Sequence, residues 1–225
     1  MNADEDKKER RSAIIKLMVL PIPIIIVLIT VLMGIAPGLE AGHPLEYLTA
    51  TCILWAVFIL VLPLLRLLRI FSLPLWFEII LYANIYLYVC GLCYGLYLNV
   101  SWWGDMTHVL SSLIVAGFVF LVMCLMATRL PPHTDFGGRK GLTLLLFLVA
   151  MSFGGIWEIM EGATDFISGY SYMIYGATDT LGDITADFIG VSLMTMFAYV
   201  ALGKHDAKEI AKEVRFGKES FRIDG

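Results

Sequence analysis

The sequence predicts an all-α membrane protein with six transmembrane helices and both termini in the cytoplasm. Of its 225 residues, 59% are apolar and only 16% are charged, and the mean hydropathy is +0.79. Stretches of about 20 mostly apolar residues match the roughly 30 Å hydrocarbon core of a bilayer. Six such stretches are present, near residues 14–36, 46–65, 74–98, 106–128, 141–161 and 182–202.

The distribution of basic residues supports six spans. The sixteen Lys and Arg residues fall in four segments: 7–16, 66–69, 129–140 and 204–222. With six spans these segments share one side of the membrane, which the positive-inside rule makes cytoplasmic. The links on the opposite side contain no basic residue: 37–45, 99–105 and 162–181.

The same pattern divides the chain into three parts. Residues 1–13 are expected to form a cytoplasmic arm, residues 14–203 the six-span membrane domain, and residues 204–225 a cytoplasmic amphipathic tail on the inner leaflet. The basic N-terminus before an apolar stretch is also typical of a signal peptide. Because that stretch is long and carries Pro21 and Pro23, a retained first span in the cell (plasma) membrane is the better interpretation.

Polar residues in the first half of the chain have ordinary interpretations. Glu78, near the cytoplasmic end of span 3, is expected to extend to water. The first outer link carries Glu40, His43 and Glu46, which are interpreted as solvated loop residues. We therefore place no functional site in this half from these residues.

Cys90 and Cys93 form a CxxC motif inside span 3. Such pairs occur in the redox helices of quinone-linked disulfide enzymes, so a thiol function stays open. Those systems relay electrons through a second outer cysteine pair, and the outer links here contain no cysteine. Packing of small buried side chains is the favoured interpretation.

The second half of the chain concentrates acidic residues in and beside its apolar spans. Seven carboxylates and one imidazole lie in the segments WWGDMTH, WEIMEGATD and DTLGDITADFIG: Asp105, His108, Glu158, Glu161, Asp165, Asp179, Asp183 and Asp187. Spacings of three, four, seven and eight residues place the members of each segment on one helix face. Ionisable groups in transmembrane segments indicate a functional site. We expect the three faces to meet in the outer third of the membrane.

Charge balance favours a bound cation where the three acidic helix faces meet. No Lys or Arg lies on the outer side, and like charges this close cannot all stay ionised without compensation. Either several carboxylates are protonated or a divalent cation binds. Oxygen ligands with one imidazole suit Mg²⁺, Mn²⁺ or Ca²⁺, and Zn²⁺ or iron less well. The alternative is that the acids belong to separate helices, each wetted by the outer surface.

The candidate residues have distinct expected roles. The predicted metal ligands are Glu158, Glu161, Asp179, Asp183 and Asp187. The predicted catalytic residues are His108, as ligand or general acid and base, and Asp105, which would orient it.

The order D-x-x-H, E-x-x-E and D-x-x-x-D-x-x-x-D-x-x-G resembles the YjdF-type bacterial inner-membrane proteins and, more distantly, the VanZ-like family. The resemblance covers roughly residues 75–203. It implies these signature positions: Asp105, His108, Glu158, Glu161, Asp183, Asp187 and Gly190. Glu161 stands where the VanZ-like pattern has Gln, Asp187 stands where it has Asn, and no Lys follows Asp105, so the YjdF-type family is favoured. The resemblance implies a fold and a site but no defined reaction.

Three functions are compatible with these residues. The first is a membrane metalloenzyme that acts on a lipid or isoprenoid-linked headgroup at the outer leaflet. The second is a cation- or proton-coupled transporter, which the apolar inner halves of spans 4 to 6 disfavour. The third is a membrane scaffold with a structural ion. The absence of a basic groove excludes nucleic-acid binding as a prediction, and the lipid bilayer is the expected partner.

Overall fold

The structure, a computed structural model, describes residues 3–128, 137–171, 173–174, 176, 178–212 and 214–216. The described residues are almost entirely helical. The helices are α1 Ala3–Val19, α2 Pro21–Leu32, α3 Pro37–Glu40, α4 Leu45–Leu67, α5 Leu75–Cys93, α6 Leu96–Asn99, α7 Trp103–Ala127, α8 Gly138–Ser168, α9 Asp179–Lys204 and α10 Ala207–Ala211. Two short strands, β1 Phe71–Ser72 and β2 Arg215–Phe216, pair antiparallel.

The predicted six-span architecture is confirmed. Six helices are long and apolar enough to cross a bilayer: Lys7–Leu32, Leu45–Leu67, Leu75–Cys93, Trp103–Ala127, Gly138–Ser168 and Asp179–Lys204. The first of these combines α1 and α2. Pro21 is tolerated at the start of α2 because a proline there removes no hydrogen bond that the helix needs. The cytoplasmic position of the termini stays a prediction, and residues 217–225 of the predicted tail lie outside the described residues.

The described chain forms two compact units, of which the first contains residues 1–100 and 213–225. Helices α2, α4 and α5 contribute its apolar core, which includes Val31, Leu48, Ile59, Ile85 and Val89. The core residues recur at helical spacing on each helix, as expected when one face packs inward and the opposite face contacts lipid.

Glu78 does not extend to water, so the expectation from the sequence is wrong. The residue is only 2% exposed and forms ion pairs with Lys16 of α1 and Arg66 of α4, the second at 3.2 Å. Arg66 also donates a hydrogen bond to the carbonyl oxygen of Leu73 at 2.9 Å. A buried carboxylate is stabilised when charged donors replace its water, so Glu78 connects three helices.

The structure contradicts the expectation for His43 and agrees with the favoured interpretation of Cys93 as a buried packing residue. His43 is 5% exposed, not solvated, and its ring lies 5.8 Å from that of Tyr47. The sulfur of Cys93 lies 3.6 Å from the sulfur of Cys52 on α4, and both residues are buried. The CxxC motif therefore brings Cys93 to a cysteine of another helix.

The second unit contains residues 101–212 and is built from α7, α8, α9 and the short α10. Helix α8 runs antiparallel to α7 and α9, which lie side by side. Gly190 of α9 allows this close approach, because a methyl group there would collide with the Ser112 hydroxyl and the carbonyl oxygen of Val109 on α7. A glycine at a helix crossing lets two backbones approach each other.

The two ends of this three-helix bundle differ in charge. The basic end carries Arg139 at the start of α8, which lies over the Tyr199 ring at 3.8 Å and donates a hydrogen bond to its hydroxyl at 2.8 Å. The acidic end contains the start of α7, the end of α8 and the start of α9. An apolar core lies between the two ends and includes Ala116, Phe120, Leu146 and Met194.

Candidate metal centre

His108 is the contact point between α7 and α9 at the acidic end. It lies in the second turn of α7, and its side chain is 14% exposed. Its Nδ1 is 3.3 Å from Oδ1 of Asp187, and its Nε2 is 3.6 Å from Oδ1 of Asp183. The i, i+4 spacing of the two aspartates on α9 places both carboxylates on the side that faces the imidazole.

Helix α8 brings two further carboxylates to the same place. Glu158 and Glu161 lie one turn apart, and each is 7% exposed. Asp183 is 7% exposed and Asp187 is 4% exposed. Four carboxylates from two helices, together with one imidazole from a third, are thus enclosed at the acidic end of the bundle.

These five residues fall into two groups with metal-ligand spacing. One group is His108, Glu158 and Asp187, and the other is Glu158, Glu161 and Asp183. Within each group, one ligand atom per residue lies within 4.8 Å of the others. Glu158 belongs to both groups. We call the five residues the acidic cluster.

Glu158 is also the residue of the cluster with the most unusual surroundings. Both of its carboxylate oxygens are buried, and neither has a hydrogen-bond partner of ordinary geometry among the described residues. The Thr180 hydroxyl lies close enough to reach this carboxylate, but not in the geometry of an ordinary hydrogen bond. Burial of a carboxylate without donors costs several kcal/mol, of order 1–3 per unsatisfied group and more when charged. A bound cation would remove this cost.

Two residues that shape the cluster were not identified from the sequence. Trp157 donates its indole N–H to Oε1 of Glu161 at 2.7 Å and so holds that carboxylate in place. Gly154 leaves room for Asp187, because a methyl group at this glycine would collide with Oδ2 of the aspartate. The only signal in the sequence is a Gly–Gly pair one turn before Glu158, at Gly154 and Gly155.

The remaining predicted site residues lie around the cluster. Asp105 is exposed, and its Oδ1 lies near Gly182 of α9, so it stands at the mouth of the acidic end. Asp179 is half-buried, one turn before Asp183, and belongs to neither ligand group among the described residues. The hydrogen-bond partner that orients His108 in the structure is Asp187.

Asp165 has a structural role. Its carboxylate accepts hydrogen bonds from the backbone N–H groups of Met173 at 3.1 Å and Ile174 at 2.9 Å. These bonds hold the loop that follows α8. The i, i+7 spacing from Glu158 correctly predicted that Asp165 lies on the helix, but not that its oxygens are already used by the loop.

The cluster lies deeper in its helices than the sequence predicted. Helix α8 continues to Ser168 and α9 begins at Asp179, beyond the predicted span ends. At about 1.5 Å per residue, Glu158 lies about 15 Å and Asp187 about 12 Å inside its helix end.

The rim around the cluster is apolar and exposed, and includes Trp102, Phe166, Ile167, Tyr170 and Leu181.

The arrangement suits a hard or borderline divalent cation. Carboxylate oxygens with a single imidazole are typical ligands of Mn²⁺ and Mg²⁺, and the imidazole also allows Zn²⁺ or iron. Residues 70–128 and 141–203 contain no Lys or Arg, so α7, α8 and α9 contribute no basic side chain to the acidic end of the bundle.

Comparison with known proteins gives one match. The family described as "Predicted membrane protein (DUF2238)" matches residues 19–204. This range covers all six candidate spans except the start of the first, and it includes the whole acidic cluster. Neither the curated proteins nor the solved structures contain a match to this chain.

Proposed function

We propose a metal-dependent enzymatic role for this chain, which belongs to the DUF2238 family of predicted membrane proteins, the YjdF family. In this proposal the acidic cluster binds a divalent cation, and the protein acts on the phosphate of a lipid or isoprenoid-linked headgroup. The observation that carries the proposal is the buried Glu158 carboxylate, neither of whose oxygens has a hydrogen bond of ordinary geometry among the described residues.

The charges of the acidic cluster favour a bound cation over protonation of all four carboxylates. A protonated Glu158 would still bury one donor and one acceptor without partners, which costs free energy in the same way as an unpaired carboxylate. Asp187 lies in hydrogen-bond range of His108, so one anion is already matched to the imidazole. The other carboxylates have no basic side chain nearby, and a divalent cation would satisfy them together.

The surroundings of the cluster support a lipid substrate. The exposed apolar rim would lie in the interfacial region of a bilayer, where aromatic side chains are enriched and lipid headgroups are found. Enzymes that bind phosphate commonly use Lys or Arg, but the segments of α7, α8 and α9 that form the acidic end of the bundle contain neither. The cation would therefore be the positive charge that contacts an anionic headgroup.

The residues of the acidic end would have different roles in the reaction. A divalent cation would polarise the phosphoryl oxygen and lower the pKa of a coordinated water when bound. His108 and the four carboxylates would hold it, with Trp157 positioning Glu161. Asp105, exposed at the mouth and within electrostatic reach of Asp183, is the residue proposed to accept a proton during the reaction.

The test is metal content and lipid turnover of the detergent-purified full chain. Glu158→Gln is compared with Glu40→Gln, the same change at an exposed carboxylate. We expect a stoichiometric metal in the wild type and in Glu40→Gln, and its loss in Glu158→Gln. Release of phosphate or headgroup from isoprenyl diphosphate and phosphatidic acid in mixed micelles should fall more than about 100-fold in Glu158→Gln, because positioning partners alone cost 10–100-fold.

The results would also separate the other functions. A metal that raises the melting temperature without turnover of any lipid in the panel would contradict the enzymatic role and favour a structural ion. Transport is disfavoured by the apolar core that lies between the cluster and the basic end. Cation flux in proteoliposomes that is lost in Glu158→Gln would overturn this conclusion.

A further inference from the structure

Glu158 is shared by two groups of candidate metal ligands. His108 and Asp187 complete the first group, and Glu161 and Asp183 complete the second. The imidazole lies between α9 carboxylates of both groups, with one nitrogen directed to Asp187 and the other to Asp183. The five side chains therefore surround two adjoining positions.

The number of buried charges fits two cations better than one. Four carboxylates that are each at most 7% exposed carry four negative charges when ionised. A single divalent cation, even with His108 protonated, would leave one of them uncompensated in a region without Lys or Arg, at a cost of several kcal/mol. Two divalent cations would balance all four carboxylates and leave His108 as a neutral ligand.

The state of Glu158 agrees with a bridging role. Each of its two oxygens is buried and has no hydrogen bond of ordinary geometry among the described residues, so each can bind a different cation. Glu161 differs, because one of its oxygens already accepts the Trp157 indole N–H and only the other faces the cluster. Carboxylates that bridge two metal ions roughly 3.5–4 Å apart are a common device of phosphate-processing enzymes.

We propose that the acidic cluster is a dinuclear centre, in which Glu158 bridges one cation held with His108 and Asp187 and a second held with Glu161 and Asp183. This inference rests on the proposed function and adds the number of ions and the residues assigned to each. The first position offers one nitrogen and carboxylate oxygens, and the second offers oxygens only. Mn²⁺ suits both positions.

A dinuclear centre would also explain which class of substrate the protein binds. Two cations held by one bridging carboxylate would stabilise the oxygen of an attacking water and the oxygen of the leaving group on opposite sides of one phosphorus atom, so that the new P–O bond forms as the P–O bond to the leaving lipid alcohol or phosphate breaks. This arrangement needs no basic side chain from the protein. The substrate class that fits is therefore a lipid phosphomonoester, phosphodiester or diphosphate.

The experiment is Mn²⁺ content and electron paramagnetic resonance of the full chain, purified in detergent, stripped with chelator and reloaded with Mn²⁺. We expect two Mn²⁺ per chain with an exchange-coupled signal. One Mn²⁺ per chain with an uncoupled six-line signal would overturn the dinuclear assignment and leave the proposed function standing. No bound Mn²⁺ would overturn both.

Variants test the assignment of residues to each position. His108→Ala should remove the first ion and Glu161→Ala the second, so each should keep one Mn²⁺ with an uncoupled signal. Glu40→Gln is the control and should keep both. Retention of two coupled ions in both alanine variants would overturn the assignment. The wild-type stoichiometry decides the number of ions even if a variant fails to fold.

Discussion

The backbone of α8 at Gly154 lies so close to the Asp187 carboxylate of α9 that a single methyl group there would collide with Oδ2. The next residue, Gly155, has open space at the same point. Of these two adjacent glycines, only Gly154 is in close contact with the acidic cluster. Alanine substitutions at the two positions therefore test whether Asp187 is a metal ligand.

Gly154→Ala is expected to weaken Mn²⁺ binding about tenfold or more, because the new methyl group displaces a ligand carboxylate. Alanine is the better helix former by about 1 kcal/mol, so the helix itself should not be destabilised. Gly155→Ala is the matched control and should bind as the wild type. The measurement is a Mn²⁺ titration, and equal affinities in the two variants would contradict the placement of Asp187.

Trp157→Phe removes the indole N–H that holds Glu161 while keeping most of the apolar side chain. We expect a roughly tenfold loss of Mn²⁺ affinity, the usual effect of losing a partner of a metal ligand. Trp102→Phe changes an exposed tryptophan at the same end of the bundle and serves as the control. If Trp157→Phe binds Mn²⁺ as tightly as that control, the indole has no positioning role.

Gly190→Ala should destabilise the second unit by about 1–3 kcal/mol, because the methyl group meets the α7 backbone at Val109 and the Ser112 hydroxyl. At Gly203, on the same helix, an added methyl group would meet only the end of the Arg139 side chain, which can move. Gly203→Ala should therefore unfold near the wild-type temperature in detergent. Similar melting temperatures for both variants would show that α7 and α9 are less closely packed at Gly190.

Glu78→Gln should destabilise the first unit by about 1–3 kcal/mol, since it leaves Lys16 and Arg66 without their carboxylate. Glu46→Gln makes the same change at an exposed position and should have little effect. Thermal unfolding in detergent is the measurement. If Glu78→Gln is as stable as Glu46→Gln, the ion pairs of Glu78 with Lys16 and Arg66 make no net contribution to the stability of the fold.

His43 should make stability depend on pH. Burial lowers the pKa of His43, so the folded protein disfavours its protonated form. The unfolded chain then binds more protons near and below pH 6.5, and stability contributed by neutral His43 falls as the pH decreases through that range. We expect His43→Asn to lose less stability than the wild type between pH 7.5 and 5.5.

The control for this measurement is His205→Asn, which changes a histidine whose side chain is 61% exposed. It should show the wild-type pH dependence in the same thermal unfolding experiment. Comparing the two variants separates the effect of His43 from the contributions of the other titratable groups. A parallel loss of stability in His43→Asn and the wild type would contradict the effect of burial on this imidazole.

Much of the site was predictable because helical periodicity is local. The spacings D-x-x-H, E-x-x-E and D-x-x-x-D place residues on shared helix faces before any tertiary contact is known. The same reasoning did not distinguish Asp165 from Glu158, although both lie on one face of α8. Asp165 accepts backbone hydrogen bonds from the following loop, and that contact depends on how the chain turns.

Composition and local spacing are enough to establish the six apolar spans, the concentration of acids in the last three and the absence of basic residues beside those acids. Three relations become visible only once the helices are packed: Glu158 belongs to two ligand groups, Trp157 holds Glu161, and Glu78 is buried between Lys16 and Arg66. Such relations depend on helix crossings and on close contacts at Gly154 and Gly190, which no periodicity within one helix specifies.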